Sequence, residues 1–400
     1  MTKSISSILK IFLIVSAFAF ATSHSPALAK ESTDQVIVTF DSNFSSEAKS
    51  NILSQAGFNH KKTINGINLT VGKLKTGKTL TESLNQLKNI SGVISVEPDD
   101  LVEPVGKPSN PSNSLKPNDP NYKKQWHLPK IQADRAWFRN KATNIVLGVC
   151  DTGVQADHPD LVNSLIPSLG YNTADNTTNW SPVANHGTMV AGTMAATTNN
   201  SLGVAGVAWG AKIIPVRITN SVDGWAYTSD AAECITYLAD RGAKAANISY
   251  RMAQYSAIET AAQYGLSRNM ITVLSAGNDG VDPGWADFPS FLAVSATNSS
   301  DGLASFSSYG TYVDLAAPGV NIYTTNTSSS YSYVNGTSFS APIVVGTIGM
   351  MYGANPNLSA AQMTAILLAS TDDLGPVGED IYFGRGRVNV YKAVYNASLN

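Results

Sequence analysis

The chain is short of charge, of cysteine and of long apolar runs, and each shortage excludes something. Charged residues make up only 14% of the 400 positions and the net charge is -2, so no basic field is present to draw nucleic acid or another polyanion. Two cysteines, Cys150 and Cys234, cannot build the disulfide framework of a small secreted domain. Cys150 lies in an apolar segment and is expected to be a buried free thiol, with a bond to Cys234 as the alternative. Beyond the N-terminal segment, no stretch is apolar over the ~20 residues that span a bilayer. No internal repeat is found. Histidine is scarce as well, with five in the chain, so a histidine in a suggestive setting stands out.

What is abundant is Asn, Ser, Thr and Gly, the uncharged polar surface common outside cells. The length predicts one large core and something smaller. Lys3 and Lys10 precede an apolar run over 11–21, and Ala27-Leu28-Ala29 offers small residues for cleavage before Lys30, so 1–29 is expected to be a secretory signal. In 30–102 a β-branched strand (34–40), a helix (45–56) stopped by Gly57, a hairpin about Asn65-Gly66, a helix (80–87) and a strand (92–96) spell βαββαβ, a small α+β ferredoxin-like unit. From 103 to 120, Pro104, Pro108, Pro111, Pro117 and Pro120 stand among Ser, Asn and Lys, which reads as an extended linker.

The large unit, 121–400, alternates short apolar strands (145–150, 213–218, 245–249, 271–275, 292–296) with helices (186–196, 229–240, 257–264, 342–352, 360–370). That predicts an α/β fold, a doubly wound and mostly parallel sheet with flanking helices, in which chemistry gathers at the carboxyl ends of the strands.

Four segments meet that expectation. Asn335-Gly336-Thr337-Ser338 leads into a nearly all-apolar helix with Pro342 expected in its first turn, placing Ser338 at an exposed helix entrance where orphan N–H groups favour negative charge. Alone, Ser338 would be an N-cap. Asp151 follows a buried strand as an orienting carboxylate should. His186 opens a helix rich in small residues, and Asn278 ends a strand with an amide that can donate to an oxyanion. Together they supply nucleophile, base, acid and oxyanion donor.

These motifs, Asp151-Thr152-Gly153, His186-Gly187-Thr188-Met189-Val190-Ala191-Gly192, Ser275-Ala276-Gly277-Asn278 and Gly336-Thr337-Ser338 with Pro342, resemble those of the subtilisin-like serine proteases, the subtilases, over the whole chain after the linker. Ser305 to Gly310 and Ala317-Pro318-Gly319-Val320 add to the likeness. The order Asp, His, Ser is that of subtilisin itself. The resemblance implies a secreted, self-processing endopeptidase: Asp151 orients His186, His186 acts as base and then acid, Ser338 attacks the peptide carbonyl, and Asn278 with the Ser338 N–H binds the oxyanion. It implies that 30–102 is an inhibitory propeptide acting within its own chain, and that the linker holds the maturation site. Pro117-Asn118-Asp119-Pro120 resembles mature N-termini of the thermitase branch.

The family likeness also assigns substrate contacts to Gly224, Trp225, Ala226, Ser249, Tyr250, Arg251, Ala276 and Gly277. It assigns a structural calcium ion to Asp119, Asp160, Asn200 and the carbonyls of Thr198, Leu202 and Val204, the hard oxygen set calcium takes. Catalysis needs no cofactor, polypeptides are the substrates, and a monomer with no membrane attachment after signal removal is expected. Departures cluster at the cleft. Ser249-Tyr250-Arg251-Met252 stands where the family has S-L-G-G, and Phe339, Ser340, Ala341 and Ile343 follow the nucleophile. Arg251 either pairs with a rim carboxylate or lies over the pocket as a positive charge. The altered cleft gives the alternative reading, a catalytically impaired protease-like binding module.

Overall fold

The computed structural model describes residues 29–30, 34–64, 68–99, 101–102 and 114–400. The signal up to residue 28, the Asn65-Gly66 turn and most of the linker lie outside them. The chain forms two compact units that divide between Ser109 and Asn110.

In the first unit, a two-residue pair, β1 (Ala29–Lys30) and β6 (Leu101–Val102), accompanies a four-stranded antiparallel sheet in the order β3-β4-β2-β5. Its strands are β2 (Gln35–Phe40), β3 (Phe58–Ile64), β4 (Leu69–Leu74) and β5 (Val93–Pro98), with α1 (Ser46–Gln55) and α2 (Leu80–Lys88) as the crossovers of a βαββαβ unit. Strict alternation in β2 buries Val36, Val38 and Phe40 on one face, against Leu53, Phe58 and Leu87. The Ser45 side chain caps α1 by accepting from Ala48 N–H.

The second unit opens with two short helices, α3 (His127–Lys130) and α4 (Ala133–Arg139), and is organised by a seven-stranded sheet in the order β13-β12-β11-β10-β7-β9-β8. The strands are β7 (Val146–Asp151), β8 (Tyr171–Asn172), β9 (Lys212–Arg217), β10 (Ala245–Ile248), β11 (Ile271–Ser275), β12 (Phe291–Thr297) and β13 (Leu315–Pro318), all paired in parallel. Both faces are covered, which is why these strands read as continuous apolar runs. The helices are α5 (His186–Ala195), α6 (Thr228–Asp240), α7 (Ser256–Ser267), α8 (Thr337–Ala354), α9 (Ala360–Ala369) and α10 (Val390–Ala397); an antiparallel hairpin, β14 (Ile322–Asn326) and β15 (Ser330–Val334), leads into α8. The sheet turns direction at β7, which has β9 on one side and β10 on the other, so a crevice opens at the carboxyl ends of β7 and β10.

Two expectations need correction. Cys150 and Cys234 form a disulfide rather than buried free thiols. The strand pleat turns Cys150 toward the face packed by α6, and the Cα atoms lie 6.0 Å apart. The second correction concerns α8. It begins at Thr337, with Gly336 as N-cap, so Pro342 is internal and Ser338, only 8% exposed, is neither cap nor surface residue. Side chains buried all around α8 make it the axis of the core, and Gly346 lets it close on Val207, whose Cβ lies 2.8 Å from where a Gly346 Cβ would stand.

Candidate active site

Asp151 is the last residue of β7 and is completely buried. One of its oxygens accepts from the N–H of Thr152 at 2.7 Å, and the pair faces His186 Nδ1 at 2.8 and 3.0 Å. The Thr152 hydroxyl clamps the approach: it donates to Ala184 O and accepts from Gly187 N–H, tying the end of β7 to the start of α5. Only glycine fits at 187, because a Cβ there would lie 2.3 Å from Gly153 O. Burial alone would lower the imidazole pKa. The charge of Asp151 and its hydrogen bond outweigh that and leave His186 above the ordinary value of 6.5.

The His186 ring reaches the first turn of α8, its centroid 5.9 Å from the ring of Phe339. The neighbouring Ser338 hydroxyl donates to Ser249 O at 3.3 Å in this structure. Its N–H, at the second helical position, belongs to the first turn that has no intrahelical acceptor. Asn278 is set by a residue of the quoted motif to which the sequence assigned no role. Thr337 donates both its N–H and its hydroxyl to Asn278 Oδ1 at 2.9 Å, and its hydroxyl oxygen accepts from Gly277 N–H. With the amide oxygen taken, the NH2 group is the end left to donate. The motif marks Thr337, but no local signal gives its partner, which lies 59 residues away.

The expected substrate segments converge on the same rim. The Tyr250 hydroxyl donates to Gly224 O at 2.8 Å, joining the 224–226 loop to the 249–252 turn, and its ring meets His186 edge-on at 6.3 Å. Trp225 is 83% exposed, Ala226 is half-buried, and Ala276 is buried with its carbonyl held by the Tyr312 hydroxyl. Arg251 takes the ion-pair course. Its guanidinium contacts Asp279 at 2.8 Å and lies 5.3 Å from the centre of the Trp285 ring. A cleft of about 490 Å³, lined by Leu303, Phe306, Asn321 and Asn335 among others, opens beside the segment that leads to Ser338.

The proposed calcium ligands also come together. Asp160 is fully buried and Asp119 nearly so, and neither has a cationic partner among the described residues. Asp119 is held by the N–H groups of Asn199 and Asn200, yet burial and the nearby Asp160 charge push its carboxyl above the ordinary carboxylate range. Asp160 accepts from Asn200 Nδ2 at 2.9 Å and Val204 N–H at 2.7 Å, while Asn200 Oδ1 accepts from Leu202 N–H. The carbonyl oxygens of Thr198 and Val204, both on buried residues, accept no hydrogen bond from any described residue. Two close carboxylates and orphaned carbonyls fit a hard divalent cation. Tyr331, whose ring meets that of His158 edge-on at 5.4 Å beside the cradle, is a neighbour that sequence reasoning did not find.

A buried carboxylate paired with an imidazole, with a serine close by, at one edge of a parallel α/β sheet is the set of groups that serine hydrolases use. The subtilase family model matches residues 142–386, and a model of the fervidolysin N-terminal prodomain matches residues 25–99. The chain belongs to the subtilase family and is a subtilisin-like serine protease made with a prodomain. It is 37% identical to thermitase of Thermoactinomyces vulgaris over 282 residues, covering 70% of this chain and 99% of that one. It is 32% identical to a thermophilic serine proteinase of Bacillus sp. strain AK1, covering 90% and 87%. Among solved structures, fervidolysin from Fervidobacterium pennivorans, described as a keratinolytic enzyme related to subtilisin, aligns with a TM-score of 0.62 at 25% identity, over 91% of this chain and 61% of that one.

Proposed function

We propose that this zymogen is secreted and that its mature part cleaves peptide bonds through an acyl-enzyme formed on Ser338. The contact between His186 Nδ1 and the buried Asp151 carries the reading, because it leaves Nε2 as the free base and places a compensating charge behind the imidazolium that forms. For attack, the Ser338 hydroxyl gives up Ser249 O for His186, which takes its proton and later returns it to the leaving amine. The Asn278 NH2 and the Ser338 N–H receive the negative charge that develops on the carbonyl oxygen. Peptide substrates run along Gly224–Ala226, Ser249–Arg251 and Ala276–Gly277.

Residues 1–29 serve as the signal, 30–102 as the inhibitory propeptide, 103–120 as the linker cut on maturation, and 121–400 as the monomeric protease. Asp119, Asp160, Asn200 and the carbonyls of Thr198, Leu202 and Val204 hold calcium, which when bound neutralises the paired carboxylates and ties the end of the linker at 119 to the 198–204 loop. No observation favours the non-catalytic alternative. The test is Ser338→Ala in the purified precursor, with a generic serine-directed inhibitor applied to the unaltered protein. Labelling of Ser338 and loss of both peptidase activity and propeptide release are expected. Normal maturation of Ser338→Ala would remove the self-processing mechanism.

A further inference from the structure

Pro342 lies inside α8 and has no N–H for the carbonyl four residues back, which is that of Ser338. Ser338 is buried, so that carbonyl would be an unpaired acceptor. The Ser249 hydroxyl fills the gap, donating to Ser338 O at 2.7 Å. Ser249, 5% exposed, is itself held where its oxygen accepts from Asn247 Nδ2 at 2.8 Å. Its own carbonyl accepts from Ser338 Oγ, so Ser249 touches the nucleophile's residue at both main chain and side chain.

The exchange changes what the nucleophile is referenced to. An ordinary helical bond would fix Ser338 relative to the next turn of α8. The Ser249 bond fixes it to the sheet, because Ile248 pairs in register with Cys150 and Ser249 therefore stands level with Asp151. We propose that Ser249 is a positioning residue for the nucleophile, its hydroxyl standing in for the helical hydrogen bond that Pro342 cannot make. The proposal rests on Ser338 being the nucleophile and gives the Ser249 side chain a task apart from substrate contact.

The test is a double-mutant cycle in the mature enzyme with Ser249→Ala and Pro342→Ala, rates being normalised to Ser338 titrated with the covalent inhibitor and folding followed by thermal melting. Ser249→Ala should lower kcat roughly ten- to a hundredfold with little change in KM, the cost of orphaning one buried acceptor. Pro342→Ala returns an N–H to the helix, so in that background Ser249→Ala should cost no more than about threefold, and Ser249→Thr, which keeps the hydroxyl, should retain most activity. Equal losses in both backgrounds, or a loss confined to KM, would overturn the proposal. If Ser249→Ala does not fold, Ser249→Thr and the double variant must both recover folding and turnover, and failure of both overturns it equally. Cleavage that persists in Ser338→Ala, by contrast, would bring down the nucleophile assignment and this proposal with it.

Discussion

In the proposed mechanism, His186 is the residue whose protonation state gates the reaction. Because Asp151 holds its pKa above 6.5, the inactive imidazolium persists to higher pH than for a free histidine. The acid limb of kcat/KM should therefore lie above 6.5, with activity falling as pH drops through it. Asp151→Asn removes the charge that raises the value, so the limb should move to lower pH while the rate falls by about 10⁴. A pH–rate profile with the limb unmoved would free Asp151 of this role. Arg251 is the second case. Paired with Asp279 and lying against Trp285, it is neutralised at the rim, and the enzyme should show no preference for acidic residues near the scissile bond. Arg251→Gly unpairs Asp279, so a peptide library should shift toward Lys and Arg, an effect weakened by salt. An identical library profile would show that neither charge reaches the substrate.

Among the elements, β7 has two opposed duties. One face of its final residues presents Asp151 to α5, and the other carries the Cys150 sulfur to α6, the helix that follows the 224–226 loop. The bond closes a separation of 84 residues, for which chain-entropy reasoning gives about 4.6 kcal/mol of stabilisation. The Cys150→Ala/Cys234→Ala variant, studied as inhibited enzyme to suppress self-digestion, should melt on the order of 10 °C lower. An unchanged melting temperature would mean that the packing around the two residues holds α6 to β7 unaided.

For the molecule as a whole, the proposed calcium cradle matters because it joins distant segments: Asp119 at the end of the linker, Asp160 after β7 and the loop after α5. A cation binding only the assembled ligands stabilises the folded state by mass action. Chelation should lower the melting temperature and speed self-digestion, and Asp160→Ala should lower stability in calcium-containing buffer and abolish the response to chelator. Identical melting with and without chelator would leave the 198–204 loop as a polar turn.

The sequence by itself determined the class of fold and the family of enzyme. Apolar runs of strand length alternating with helical patterns can bury both faces only in a parallel α/β sheet, and Asp151, His186, Asn278 and Ser338 each sit at an element end that local pattern locates. The βαββαβ unit was legible for the same reason. What only the tertiary structure decided are pairings between segments far apart in the chain: Cys150 with Cys234, Thr337 with Asn278, Arg251 with Asp279, and Ser249 with the carbonyl that Pro342 leaves open. Periodicity reports which face of an element turns inward but not which residue of another element meets it there. Those meetings are set when α8 is buried against β10, β11 and β12, and the first turn of a helix surrounded on all sides takes its partners from its neighbours rather than from its own sequence.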